Sequence, residues 1–231
     1  MWDKDYQERF GIKTHRIELN EIHGALRSRD LTPEYEDIII QTNAMSLADW
    51  KEMVLFSWLT MVLHSLKLGF FVMLWLNNRH GKSYADFIDH VAKSQTPILS
   101  HELSEFQCQI LNLMEGHGRG RFVPGYAPIY WDEEEASFLR IYEKRDRFYK
   151  EFTQIVRDFL QGTPYDEAEL KEVMDYQRLR IPAYGDVQEE LSEFQYNIPE
   201  YFDMILTAQP IDIQKRNQYA TITARFFENP S

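Results

Sequence analysis

TNAMSLADWKEMVLFSWLTMVLHSLKLGFFVMLWL, running from Thr42 to Leu76, decides what kind of chain this is. From Val54 to Leu76 it is long enough to cross a bilayer, for which roughly 20 apolar residues suffice. Gains of about −0.3 to −0.6 kcal/mol per apolar residue against about +3 for Lys67 do not exclude insertion. The pattern argues for a different placement. At 100° per residue, Asp49, Ser57, Thr60, His64 and Lys67 fall in one narrow sector and leave a wide apolar face, which is an amphipathic helix with a wet stripe. Leu68-Gly69-Phe70 then reads as a stop, with lysine in the last turn and glycine at the left-handed position after it. Two shorter helices broken at Gly69 suit a buried core better than a membrane span.

The rest of the chain agrees with that reading. Of 231 residues, 44% are apolar and 14% aromatic, which supplies a real core and excludes a disordered chain. Twenty-five basic against 37 acidic side chains give a net charge of −12. Such a balance repels nucleic acid phosphates and anionic lipid heads, so neither is an expected partner and a membrane is not favoured. The one cysteine, Cys108, has no partner for an internal disulfide, and Met1-Trp2-Asp3-Lys4-Asp5 lacks the apolar core of a signal peptide. The expectation is a cytoplasmic globular protein.

Helix starts recur along the chain. Ser46 with Asp49, Ser83 with Asp86, and Asp132 with Glu135 each put a capping side chain three residues before an acid that reaches back to the cap amide. Thr163-Pro164 reads as a fourth start. Ser100 reads as the cap of a fifth helix, running through Ile110 to Met114 and ended by Gly116. A long helix is predicted from Asp132 to about Leu160, with Leu139, Tyr142, Phe148, Phe152, Ile155 and Phe159 along its apolar stripe and Gly162 as its stop. The helix after it should end before Pro182. Strand signals sit at the ends: the β-branched run Asp37–Thr42, then Phe194, Tyr196 and Ile198, then Tyr219, Thr221 and Thr223. The expected fold is mainly α, a helical domain with small β elements contributed by the N- and C-terminal segments, which could pair with each other. It is taken as a single domain over 1–231, with an extended or irregular segment 1–45, a helical body 46–180 and a β-containing segment 181–231.

Few residues carry a chemical signal. In Gly116-His117-Gly118-Arg119-Gly120-Arg121 the glycines would let backbone amides approach an anion, and two arginines could fork onto phosphate or carboxylate. Gly118, Arg119, Gly120 and Arg121 are therefore candidate anion-binding residues. The competing reading is a glycine helix stop running into a turn, because the segment follows a helix where a dinucleotide fingerprint follows a strand. Thr60, His64 and Lys67 are candidates to face a groove, although nothing adjacent orients His64 as a general base. His101-Glu102-Leu103-Ser104-Glu105 lacks the second histidine of a zinc-binding helix, and no metal site is expected. Trp50, Trp58 and Trp75 read as core. The run Asp132-Glu133-Glu134-Glu135 reads as a solvated first turn.

Several words, taken together, resemble the region after the catalytic barrel in cobalamin-domain radical S-adenosylmethionine proteins. They are Tyr6-Gln7-Glu8-Arg9-Phe10-Gly11-Ile12, Glu34-Tyr35-Glu36-Asp37-Ile38-Ile39-Ile40, Met45-Ser46-Leu47-Ala48-Asp49-Trp50, Phe56-Ser57-Trp58 and Leu63-His64-Ser65-Leu66-Lys67-Leu68-Gly69. Ser83-Tyr84-Ala85-Asp86-Phe87, Tyr176-Gln177, Phe194-Gln195-Tyr196-Asn197 and Tyr201-Phe202 follow in similar order. None of these is a catalytic motif. That chemistry needs a cluster on three closely spaced cysteine thiolates, and this chain has one cysteine and no aspartate–histidine–glycine cobalamin loop. The resemblance thus implies a non-catalytic accessory module without a cofactor of its own, partnered with a radical S-adenosylmethionine core in cis or in trans, or self-associated. The alternative is an independent small-molecule or anion-binding protein, or an enzyme, using the Gly116–Arg121 loop and His64.

Overall fold

The computed structural model describes residues 3–26, 32–181, 189–209 and 211–223. The fold is mainly α, with two small antiparallel sheets near the ends of the chain. Within the 1–231 span the contacts gather into two compact units, each made from two pieces of chain. Unit 1 comprises 1–62 and 88–144, and unit 2 comprises 63–87 and 145–231.

Unit 1 opens with α1 (Lys4–Phe10), then β1 (Lys13–Glu18) and β2 (Tyr35–Gln41), which pair antiparallel with Ile17 opposite Glu36 and His15 opposite Ile38. The last carbonyls of α1 are held by Asn43, whose backbone N–H donates to Phe10 O at 2.9 Å and whose side chain donates to Arg9 O at 3.1 Å. Gly11 turns there with φ +60°, and a side chain on it would collide with Asn43. α2 (Leu47–Thr60) starts at the capping box read from the sequence: the Ser46 hydroxyl accepts from Asp49 N–H and the Asp49 carboxylate accepts from Ser46 N–H. α4 (Tyr84–Ala92) crosses from unit 2 into unit 1. α5 (Pro97–Met114) begins at Thr96 with proline in its first turn, so Ser100 lies inside the helix and is not its cap. The predicted end at Gly116 holds, with φ +90° there and its N–H on Leu113 O at 3.0 Å.

The predicted helix from Asp132 to Leu160 is two helices, α6 (Glu133–Tyr142) and α7 (Arg145–Phe159), divided at Glu143-Lys144. The stripe read from the sequence is buried mainly in its α7 half. Phe148, Phe152 and Ile155 are buried, whereas Leu139 and Tyr142 are only half-buried and α6 instead buries Glu133, Ala136, Ser137 and Ile141.

Unit 2 begins in a π-helical turn, Met61–Ser65, that continues α2. The chain stops there differently from the expectation. Lys67, not Gly69, takes the left-handed conformation with φ +66°, while Gly69 has φ −133° and its N–H closes onto Leu63 O at 2.8 Å. Gly69 is needed for space, since a Cβ there would stand 3.0 Å from Phe152 Cζ. α3 (Phe70–His80) then buries Phe71, Val72, Met73, Trp75 and Leu76 within this unit. No single helix among the described residues is long and apolar enough to cross a membrane. α8 (Glu167–Leu179) is capped by Asp166, which accepts from Ala168 N–H at 2.8 Å, so Thr163-Pro164 precedes the start instead of making it. α8 ends before Pro182, as expected.

β3 (Glu189–Tyr196) and β4 (Lys215–Thr223) pair antiparallel, with Glu193 opposite Tyr219. Ile198 does not continue β3; it opens α9 (Ile198–Leu206), with Pro199 in the first turn. Among the described residues the strands near the two ends therefore form two separate sheets and do not pair with each other. Aromatic rings fill the unit 2 core, with Phe71, Tyr176 and Phe202 within about 5 Å of one another.

Candidate functional site

A cavity of about 590 Å³ opens within unit 1. Its apolar wall comes from α2 and α5: Trp50, Val54, Trp58, Met61, Phe106, Ile110 and Leu113 all line it. Trp58 and Phe106 stack with centroids 4.7 Å apart and each is buried, so most of each ring is covered and the pair ties α2 to α5. Ile38 and Ile39 of β2 add to the apolar lining, and most of the polar lining is carboxylate: Glu36 and Asp37 from β2, and Asp132, Glu133 and Glu134 from the start of α6, with Arg119 the one cation among the lining residues described.

The acidic run at 132–135 is therefore no solvated first turn. Asp132 and Glu135 do form the capping box, but Glu133 is only 7% exposed and Glu134 is half-buried. The cause is helical register, since Glu133 shares a face with the buried Ala136, Ser137 and Ile141 at spacings of three, four and eight residues. Burial pushes the Glu133 carboxyl above the usual carboxylate range, opposed by Arg121, whose Nε donates to Glu133 Oε2 at 3.0 Å. Glu134 is also raised, by burial first and then by Asp132 and Glu135. Behind the wall, Arg140 forks onto the buried Glu102 with N–O distances of 2.7, 3.0 and 3.2 Å and joins α6 to α5. That pair sets the distance between two lining elements, because neither charge can be left alone inside the protein without a large cost.

Two polar atoms in residues of this wall are sealed from solvent without a protein partner: Trp58 Nε1 and Glu133 Oε1. Buried polar atoms are rarely left so, and each calls for an explanation.

The glycine–arginine loop forms one edge of the same cavity through Arg119 and Gly120. It is held firmly. Glu18 N–H donates to Gly116 O at 2.9 Å, Asn20 Nδ2 to Arg119 O at 2.8 Å and Gln109 Nε2 to Gly118 O at 3.3 Å, while Arg121 and Trp131 exchange both backbone hydrogen bonds. Gly118 sits where a Cβ would meet Glu18 O at 2.6 Å. The loop's cations face carboxylates: Arg121, with its side chain 19% exposed, serves Glu133 and donates to Glu105 O at 2.5 Å, and Arg119 Nε stands 3.7 Å from Glu36.

The second candidate set is divided. Thr60 donates its hydroxyl to Phe56 O at 2.8 Å within its own helix. His64 and Lys67 meet on one ring, His64 edge-on to Phe70 at 5.0 Å and Lys67 Nζ 5.7 Å above it. Ser57, from the same predicted polar stripe, does line the unit 1 cavity. Trp50, Trp58 and Trp75 are buried, as read from the sequence. Cys108 is exposed and is the chain's one thiol, so the donor set does not fit an iron–sulfur cluster.

Compared with known proteins, the chain matches no family model, and no curated protein matches it in sequence.

Proposed function

We propose that this chain is a non-catalytic small-molecule-binding module that works beside a radical S-adenosylmethionine core. The observation that carries the binding half is the unit 1 cavity. Its volume lies in the range of small-molecule sites, roughly 300–1,000 Å³, and its apolar wall carries a few convergent polar groups, which is the composition such sites have. Support for the partnership comes from the resemblance of the words around Met45–Trp50 and Leu63–Gly69, together with the apolar side chains that α2 leaves at the surface, Met53 being 52% exposed. The cluster and its chemistry belong, on this reading, to the partner.

Thermal unfolding of the purified chain against a panel of common metabolites tests the binding half. A ligand at 100 times its Kd stabilises a folded protein by about 2.7 kcal/mol, a readily measured shift. At least one compound should give it, and Trp58→Ala should abolish it. A flat response across the panel contradicts the proposal. The partnership is tested by light scattering with a hydrophobic dye: a dimer, or a monomer that binds dye strongly, supports an uncovered docking face, and a monomer with no dye response argues for an independent binder.

A further inference from the structure

We propose that the unit 1 cavity receives a short, basic peptide in extended form, hydrogen-bonded as a third strand along the outer edge of β2. This names the ligand class of the binding reading above and rests on it.

The register of the β1–β2 pair fixes which backbone groups are already used. Leu19 N–H donates to Glu34 O at 2.8 Å, one step beyond the opposed residues Glu18 and Tyr35. Hydrogen-bonded pairs alternate along an antiparallel ladder, so Ile17 with Glu36 and His15 with Ile38 are bonded as well. The N–H and C=O groups of Asp37 and Ile39 therefore point away from β1. The same alternation turns Glu18 N–H away from β2, and it donates to Gly116 O at 2.9 Å. The outer side of β1 thus has a partner. On β2, among the described residues, no backbone hydrogen bond from outside the ladder reaches Asp37 or Ile39.

The cavity runs along that edge. Glu36, Asp37, Ile38 and Ile39 all line it, and none of the lining residues described belongs to β1. A cavity against one face of a strand meets every second residue, because side chains alternate between faces; four in a row place it against the edge. At about 3.3 Å per residue the stretch is about 13 Å long, room for four residues of a partner strand. On the α2 wall Val54 is half-buried and Met61 is 37% exposed, so apolar side chains of that strand have a surface to meet. An open edge is a template for any strand, and charge selects the occupant. Antiparallel pairing with the β2 of a second copy would set Glu36 and Asp37 against the same acids, and like charges so opposed are unfavourable. With five acids and one arginine in the lining, and a net charge of −12, a basic segment is the complementary one.

The test titrates the end-blocked peptide Lys-Val-Lys-Val-Lys into the full chain by calorimetry, beside its glutamate counterpart and two N-methylated forms, one methylated at the lysines and one at the valines. The basic peptide should bind and the glutamate peptide should give no heat. One methylated form should lose at least about tenfold in affinity and the other keep it, because alternate amides of a paired strand face its neighbour. Exchange of the Asp37 and Ile39 amide protons should slow at least about tenfold when the peptide is bound. Ile39→Pro removes an outward N–H that β1 does not use and should abolish binding; should it fail to fold, the methylated peptides decide. An equal effect of the two methylation patterns, unchanged exchange at Asp37 and Ile39, or preference for the glutamate peptide overturns the strand-pairing assignment while the cavity remains a binding site. A dimer without peptide in which both amides already exchange slowly gives the edge to a second copy and overturns it as well. Silence of every peptide overturns it too, and the binding reading falls with it only when the metabolite panel is also silent.

Discussion

Replacing Gln177 with leucine should destabilise unit 2 by about 2–4 kcal/mol, a large share of the 5–15 kcal/mol that typically holds a domain folded. Gln177 is fully buried on α8. Its Oε1 accepts from Phe71 N–H at 2.8 Å, and its Nε2 donates to Lys67 O at 2.8 Å and lies 3.4 Å from the Tyr149 hydroxyl, which donates to Leu68 O at 3.1 Å. The arrangement exists because α3 starts at Gly69, which has no side chain to cap it. A helix leaves its first N–H groups without internal partners, and here a glutamine more than a hundred positions away supplies one. Leucine keeps the volume and removes both contacts. The buried Phe71 N–H then costs its full desolvation, about 1–3 kcal/mol. Lys67 is exposed, so water replaces the glutamine at its carbonyl and that loss stays near 1 kcal/mol. Urea unfolding followed by far-ultraviolet circular dichroism and by tryptophan fluorescence reads the change as a lower midpoint at constant slope. Gln177→Glu should be worse at neutral pH than in acid, because it keeps the acceptor while burying a charge. A loss below about 0.5 kcal/mol for the leucine variant would refute the capping role.

Glu133 predicts a pH dependence. Its folded-state pKa is raised, so the folded chain holds a proton that the unfolded chain releases first, and this group's contribution to stability falls as pH rises through the window just above 4.5. Glu133→Gln should flatten that slope in a urea series over pH, and Arg121→Met should steepen it by removing the opposing cation. Asp132→Ala should cost about 0.5–2 kcal/mol by equilibrium unfolding, the usual loss for an N-cap. Gly69→Ala should cost about 1–3 kcal/mol through contact with Phe152, with little backbone strain because φ there is −133°. Asp166→Asn should bring the Tyr196 hydroxyl, held at about 12 chiefly by its hydrogen bond to Asp166, back toward the ordinary tyrosine value in an ultraviolet titration.

Local chemistry made part of this fold readable. Ser46 with Asp49 and Asp132 with Glu135 are capping boxes whose members lie within four residues, and Gly116 turns the chain by its own backbone. What failed depended on distant partners. Thr163-Pro164 and Ser100 were plausible starts by composition, yet Asp166 and Thr96 took the caps because α8 and α5 are placed by their buried faces. β1 carries an unremarkable sequence, Lys13–Glu18, and becomes a strand by pairing with the β-branched β2. Of the cavity's lining, the sequence singled out Arg119 and Gly120, as part of an anion loop, and Ser57, as part of a polar stripe. Glu36, Asp37, Glu133 and Glu134 were not read as lining residues, because acids are ordinarily solvated and only tertiary packing turns these toward a cavity. One signal was available: Glu133 falls on the face of Ala136, Ser137 and Ile141, so a helical projection of α6 alone turns it inward.

The most direct test of a ligand cavity in unit 1 is to follow the indole N–H resonances, assigned by single tryptophan-to-phenylalanine replacements, while the metabolite panel is added. Trp50 and Trp58 line the cavity, and Trp75 lies in unit 2 with its Nε1 donating to Glu169 at 2.7 Å. The account predicts saturable movement of the Trp58 and Trp50 signals with Trp75 unmoved. Movement of Trp75 alone, or no movement of the unit 1 indoles with any compound, would contradict it.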